Sequence, residues 1–327
     1  MTTLAPDSSA RLTSGLGLAV VSAASFGLSG PLARGLMDAG WSAAAAVAVR
    51  VLLAAAVLVP VAVRQLRGRW APVRRNVGLI VGFGLLAVAG CQLAYFNAVA
   101  HMEVGVALLI EYTAPVAVVL WLWLRQGQRP GRLTALGAVL GAAGLVLVLD
   151  VLSGADVSVV GVLWALGAMV GAASYFVLSS RDVEGLPPVV LAAGGLLVGG
   201  GTLLLAGAVG ILPFAVTAAP VAFSGFAVPW WLPVAALGLV TAALAYVSGI
   251  AATRRLGSRL ASFVALGEVL AALACAWILL AEAPSGIQLL GGLLVLGGVV
   301  VVRAGEARTA AAPLAPAPVA SAPAPPA

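Results

Sequence analysis

The chain contains no lysine and a single histidine, His101. Charged residues of every kind make up only 9% of it, and cysteines number two, Cys91 and Cys275. Each shortage excludes something. So few charges cannot clothe the surface of a soluble globular domain. One histidine and no HExxH pattern leave no metal-ligand set. Both cysteines fall within apolar runs, so they form no disulfide framework and read as small packing residues. Glycine runs such as GLGLAV at 15–20 lie inside apolar segments, not between a strand and a helix, and there is no P-loop. No cofactor is expected, and enzyme chemistry has little to stand on.

What is there is apolar. Hydrophobic residues make up 62% of the chain, mean hydropathy is +1.14 and glycines number 40. Runs of this length read as membrane spans, and small residues let such spans pack closely. The expected fold is an all-α membrane protein with ten transmembrane helices at 13–33, 41–63, 76–99, 104–124, 132–150, 158–180, 187–210, 230–252, 259–280 and 286–303. Residues 1–12 and the Ala/Pro-rich tail at 304–327 are expected to be disordered, since neither can pack a core. The two units between them run over 13–150 and 158–303.

The net charge of +6 rests on arginine alone, and the arginines sit in short loops. Lipid headgroups therefore suit them better than nucleic acid, which is not an expected partner. With the N-terminus inside, 15 of the 17 arginines fall in cytoplasmic segments, leaving Arg34 and Arg50. The opposite loops carry Asp38, Glu103, Asp150, Asp156 and Glu282. Both termini are thus expected in the cytoplasm, with an even number of spans.

The chain also repeats itself. A shift of 154 residues aligns 104–149 with 258–303 at ten identical positions, including Trp123/Trp277, Pro130/Pro284, Gly137/Gly291 and Gly144/Gly298. Upstream, AASF at 23–26 echoes AASY at 172–175, and Tyr95 echoes Tyr246 across a loop three residues longer in the second half. A unit of five spans is odd, so the second copy enters the membrane upside down. The loop charges change accordingly: five arginines lie in Arg64–Arg75 and none in its counterpart at 211–231. Two inverted five-helix repeats around a midplane site are an architecture of secondary transporters.

The fourth-span pattern LLIEYTAPVAVVLWLWL, the ninth-span LGEVLAALACAWILLAE and the closing LGAVLGAAGLVLVL and LLGGLLVLGGVVVV resemble the EamA-type members of the drug/metabolite transporter superfamily. The resemblance covers about residues 13–303. It implies a ten-span basket that moves small metabolites, often amino acids or related compounds, without ATP hydrolysis. Two departures stand out. Gln128 replaces a glutamate common in the family, which Glu282 keeps in the second unit, and Val269 takes the place of the proline that often follows the ninth-span glutamate.

Polar residues inside the spans are the candidate site. Glu111 and Pro115 lie four apart on one face of the fourth span, and both are costly in hydrocarbon unless they line a polar cavity. Arg50 sits in the middle of AAAAVAVRVLLAAAVLV and needs the bundle interior; it could bind a substrate carboxylate or pair with Glu111 or Glu268. Gln92 and Tyr95 share a face, as do Ser22, Ser25 and Ser29, although serines in such helices often bond only backbone. Tyr112 is expected to point about 100° away from Glu111 and to pack. The substrate-binding or coupling set is therefore Arg50, Gln92, Tyr95, Glu111, Tyr246 and Glu268. The expected function is alternating-access transport of a small metabolite, in the export direction, across the plasma membrane of a bacterium. Its partners are the lipid bilayer, the substrate and, through Glu111, a coupling proton. A channel, a membrane scaffold and an intramembrane enzyme are the alternatives.

Overall fold

The computed structural model describes residues 8–99, 101, 110–148, 158–181, 183–281 and 285–311. Glu103, Asp150, Asp156, Glu282 and the tail from residue 312 lie outside these, as does most of the start of the fourth span. The first helices are α1 (Ser8–Gly27) and α2 (Ser29–Asp38), joined almost without a gap at Leu28, then α3 (Ala43–Leu66). After the short α4 (Ala71–Arg75), α5 (Val77–Gly82) runs through a π-helical stretch (Phe83–Gly90) into α6 (Cys91–Val99). Next come α7 (Ala114–Gln126), α8 (Arg132–Val148), α9 (Val159–Ser179) and α10 (Pro188–Ala208). The chain then forms α11 (Trp231–Gly238), a second π-helical stretch (Leu239–Leu244), α12 (Ala245–Ala265), α13 (Gly267–Leu280) and α14 (Gly286–Ala311). Among the described residues six helical stretches are long and apolar enough to cross a membrane, and four shorter helices are apolar. Leu124, Val159 and Ile278 are 80%, 75% and 72% exposed, a surface that water would not tolerate and lipid would.

Helix appears where disorder was expected at both ends. α1 already begins at Ser8, and α14 runs past Arg303 to Ala311 because the stretch AGEARTAA contains strong helix formers and its prolines start only at Pro313. The stretch at 211–231 is not merely a loop. Val221–Phe223 and Phe226–Val228 pair as an antiparallel hairpin, in register Val221↔Val228 and Phe223↔Phe226. It packs its Val221 and Phe223 side chains over Gly35 of α2, and the Ser224 amide donates to the Leu279 carbonyl at 2.8 Å. The segment before it is tied to the start of α3. Ser42 caps that helix by accepting from the Ala45 amide, donates to the Pro213 carbonyl and accepts from the Ala215 amide, while Trp41 donates to the Thr217 carbonyl at 2.8 Å. The connection expected at 253–258 shrinks to one residue, Gly257, whose φ of 77° and ψ of 161° only glycine takes without strain.

The main helix contacts follow a twofold plan. α8 packs on α14 and α3 on α10, each helix with its own counterpart. α1 packs on α12, and α6 on α9, which is the same pairing seen from the other unit. Glycine makes the closest of these contacts. A Cβ on Gly137 would sit 2.7 Å from the Gly298 carbonyl, and one on Gly144 would sit 2.6 Å from the Gly291 carbonyl. Residue number rises along α8 as it falls along α14, so the two helices run antiparallel, and the four glycines that the repeat pairs in sequence meet crosswise in space.

Candidate functional site

A cavity opens where two helices are interrupted. In the first unit the helix stops after Glu111; Tyr112 and Thr113 turn, and α7 restarts at Ala114 with Pro115 in its first turn. The expectation of a proline inside one continuous span is thus corrected. At a helix start Pro115 forfeits no hydrogen bond, because those amides have no partner in the helix anyway. Thr113 steadies the turn by donating its hydroxyl to the Ile110 carbonyl at 2.6 Å. In the second unit α12 ends at Ala265, Leu266 turns, and α13 begins with Glu268 in its first turn, where a carboxylate is favoured by the helix dipole. Leu266 lies 154 residues after Tyr112, so the breaks coincide in the repeat. Interrupted backbone at bilayer depth is tolerable only beside a cavity or in protein.

Side chains from both units line this space. They include Ser22, Phe26, Cys91, Gln92, Glu111, Tyr112, Pro115, Tyr175, Phe176, Tyr246, Thr253, Ser262 and Glu268. The cavity has a volume of about 130 Å³ and is open at its mouth. The Cys91 thiol lies 3.5 Å from Oε1 of Glu111 and 3.6 Å from the Ala168 carbonyl. Tyr112 lies close enough to Glu268 to interact with it, and the two carboxylates lie close enough to interact with each other. One wall is aromatic: Tyr246 stands edge-on to Phe26 at 5.2 Å and to Tyr175 at 5.8 Å, and Tyr175 meets Phe176 at 5.0 Å.

Of the six residues expected from sequence, Gln92, Glu111, Tyr246 and Glu268 are on the lining. Gln92 and Tyr246 are themselves 154 apart, so the cavity matches Tyr246 with Gln92 rather than with Tyr95. Tyr95 stands behind, close enough to interact with both carboxylates but off the wall. Arg50 is also off the wall. It is 6% exposed, donates Nη1 to the Ser29 hydroxyl, and leaves Nε without a partner. Among the described residues the one ion pair is Arg34–Asp38 at 3.4 Å, so Arg50 is bonded to neither Glu111 nor Glu268, although it feels Glu268 electrostatically.

Sequence reasoning missed Cys91 and Tyr175, and it named Ser22 and Tyr112 without placing them in the set. Cys91 looked like packing, and nothing local to it signals the carboxylate 20 residues on. Tyr175 was visible only as the repeat partner of Phe26, which also lines the cavity. Ser22 does bond backbone, donating to the Ala245 carbonyl at 2.9 Å, but that carbonyl belongs to the other unit.

Gly249 is the floor beneath this wall. A Cβ there would collide with the Tyr175 hydroxyl and lie 2.6 Å from the Ser22 hydroxyl. Gly249→Ala should leave the protein folded, since a side chain can swing away, but should lower transport at least severalfold. Uptake by purified variant in vesicles, with thermal stability measured in parallel, checks this. Unchanged transport would mean that Tyr175 is free to move without consequence.

The cavity holds no metal-ligand cluster among the described residues. A family model described as "EamA-like transporter family" matches residues 13–150 and 159–304. Curated proteins yield no match. One solved structure, described only as "Crystal structure of protein", superposes with a TM-score of 0.75 at 22% identity, covering 92% of this chain and 99% of that one. At that identity the likeness speaks for the fold alone.

Proposed function

The chain belongs to the EamA-like transporter family, and from that premise we propose that it is a secondary transporter which carries a small metabolite across a bacterial plasma membrane by alternating access. The observation that carries this reading is the cavity itself: it lies between the units, at helix breaks that coincide in the repeat, and its polar groups come from both. A carrier must expose one site to either side in turn, and rocking two units about a shared cavity does so.

The two units are proposed to be inverted, with ten spans in all and both termini cytoplasmic. The antiparallel crossing of α8 and α14, with Gly137 on Gly298 and Gly144 on Gly291, supports this, as does the arginine bias of the loops. The cargo is proposed to be an amino acid or a related compound, moved outward. A proton taken up by Glu111 is proposed to couple the cycle.

Purified protein in sealed vesicles provides the test. Flux of the cargo should saturate with concentration, and unlabelled cargo inside should accelerate entry of labelled cargo outside. Flux that rises linearly without such exchange would instead indicate a channel, and product without flux an enzyme.

A further inference from the structure

Resting on the transporter reading, and narrowing its cargo from amino acids and related compounds to the amines among the latter, we infer that the cavity is built for an organic cation, an ammonium-bearing molecule without a free carboxylate. Charge is the first reason. Two carboxylates, Glu111 and Glu268, face the space, and no arginine, lysine or histidine is among its described lining residues. The cation nearest by, Arg50, stands off the wall with its Nη1 on Ser29. An amino acid brought here would find carboxylates for its ammonium group but, among the described lining residues, no cationic side chain for its carboxylate, only hydroxyls, Gln92 and the helix starts. A dicarboxylate cavity at bilayer depth is costly when both groups are ionised, and a bound cation relieves that cost.

The second reason is independent of the acids. Phe26, Tyr112, Tyr175, Phe176 and Tyr246 put five aromatic residues on the lining, the residue type that attracts organic cations and shelters their apolar part. An inorganic cation would leave them idle. The third is an open hydrogen-bonding position. Tyr175 is 9% exposed and its hydroxyl, whose neighbour is the Ser22 hydroxyl, keeps hydrogen-bonding capacity for a bound molecule. Among the described residues Glu111 has the Cys91 thiol at 3.5 Å and Glu268 has Tyr112 near it, and a carboxylate's two oxygens can accept more than one N–H group.

Three probes of one shape separate the possibilities: phenethylamine, phenylalanine and 3-phenylpropionate, with a set of alkyl and quaternary amines to span size. Binding to the full-length protein in detergent is read by thermal shift and by quenching of intrinsic fluorescence at constant salt and pH. An amine of the set should bind at least tenfold more tightly than phenylalanine, and phenylpropionate should not bind. Glu268→Gln should weaken that amine tenfold or more, and Tyr175→Phe severalfold. Equal or tighter binding of phenylalanine or of the acid, binding by none of the amines, or the same response to sodium or potassium alone would overturn the inference. Because the comparison uses wild-type protein, it stands even where a variant does not fold. An amine that binds but is not carried in vesicles leaves the inference intact and removes the transporter reading. Flux of an amino acid with no amine binding does the reverse.

Discussion

Glu111→Gln should yield protein that folds and melts like wild type but has lost the pH dependence of its transport and most of its rate, a fall of tenfold or more. Glutamine keeps the shape of a protonated glutamate and cannot release a proton. If Glu111 were the ion-pair partner of Arg50, the same change would strand a buried guanidinium and damage stability. The structure gives Arg50 to Ser29 and Glu111 to Cys91, so no such orphan arises. Glu268, Cys91, Tyr112, Tyr95 and Tyr246 are the other titratable groups that interact with Glu111, and Arg50 the fixed charge near them. Uptake measured across a pH series, beside a melting curve, separates the outcomes. A well-folded variant with wild-type, pH-dependent uptake would take Glu111 out of the mechanism.

Gly144→Val should have the largest effect on folding. Even the first carbon of a side chain would lie 2.6 Å from the Gly291 carbonyl and 2.7 Å from the Val295 amide, which are backbone and cannot step aside. α8 and α14 would have to separate, losing the close packing that holds membrane helices together where no hydrophobic effect does. We expect little folded protein from Gly144→Val and a clear loss of stability, on the order of 1–3 kcal/mol, from Gly144→Ala. Gly201→Ala is the matched control, since nothing lies within 4 Å of a Cβ there. Size-exclusion profiles and melting in detergent read the difference. Equal stability of Gly144→Ala and Gly201→Ala would contradict the packing described.

Much of this was legible beforehand for physical reasons. Bilayer depth enforces long apolar runs, and helix approach at backbone distance enforces glycine, so the spans and the Gly137/Gly291 and Gly144/Gly298 pairs appear in the sequence directly. What the pattern does not carry is where a helix stops. A proline at the first turn of α7 and a proline within a longer helix read alike, and the former was mistaken for the latter. Tyr112 shows the consequence: the break falls at that residue, so an unbroken helical wheel does not give its direction, and it lies near Glu268. Arg50 illustrates the other limit. Its need for a partner was evident, but the choice of Ser29 over a carboxylate depends on how α2 leans on α3, which no local sequence signal sets.

The sidedness of two matched loops reports directly on whether two inverted units enclose one cavity. Ser42, at the start of α3, is bonded to Pro213 and Ala215, so the 211–231 loop sits at one end of that helix and Gln65 at the other. Its 24 residues span about 36 Å, enough to cross a bilayer core of about 30 Å. Gln65→Cys and Ala219→Cys, each made with Cys275→Ala and with Cys91 left buried, should react with a membrane-impermeant maleimide from opposite sides, Gln65→Cys from the cytoplasm and Ala219→Cys from outside. Labelling of both from the same side would contradict the inversion and, with it, the alternating-access mechanism.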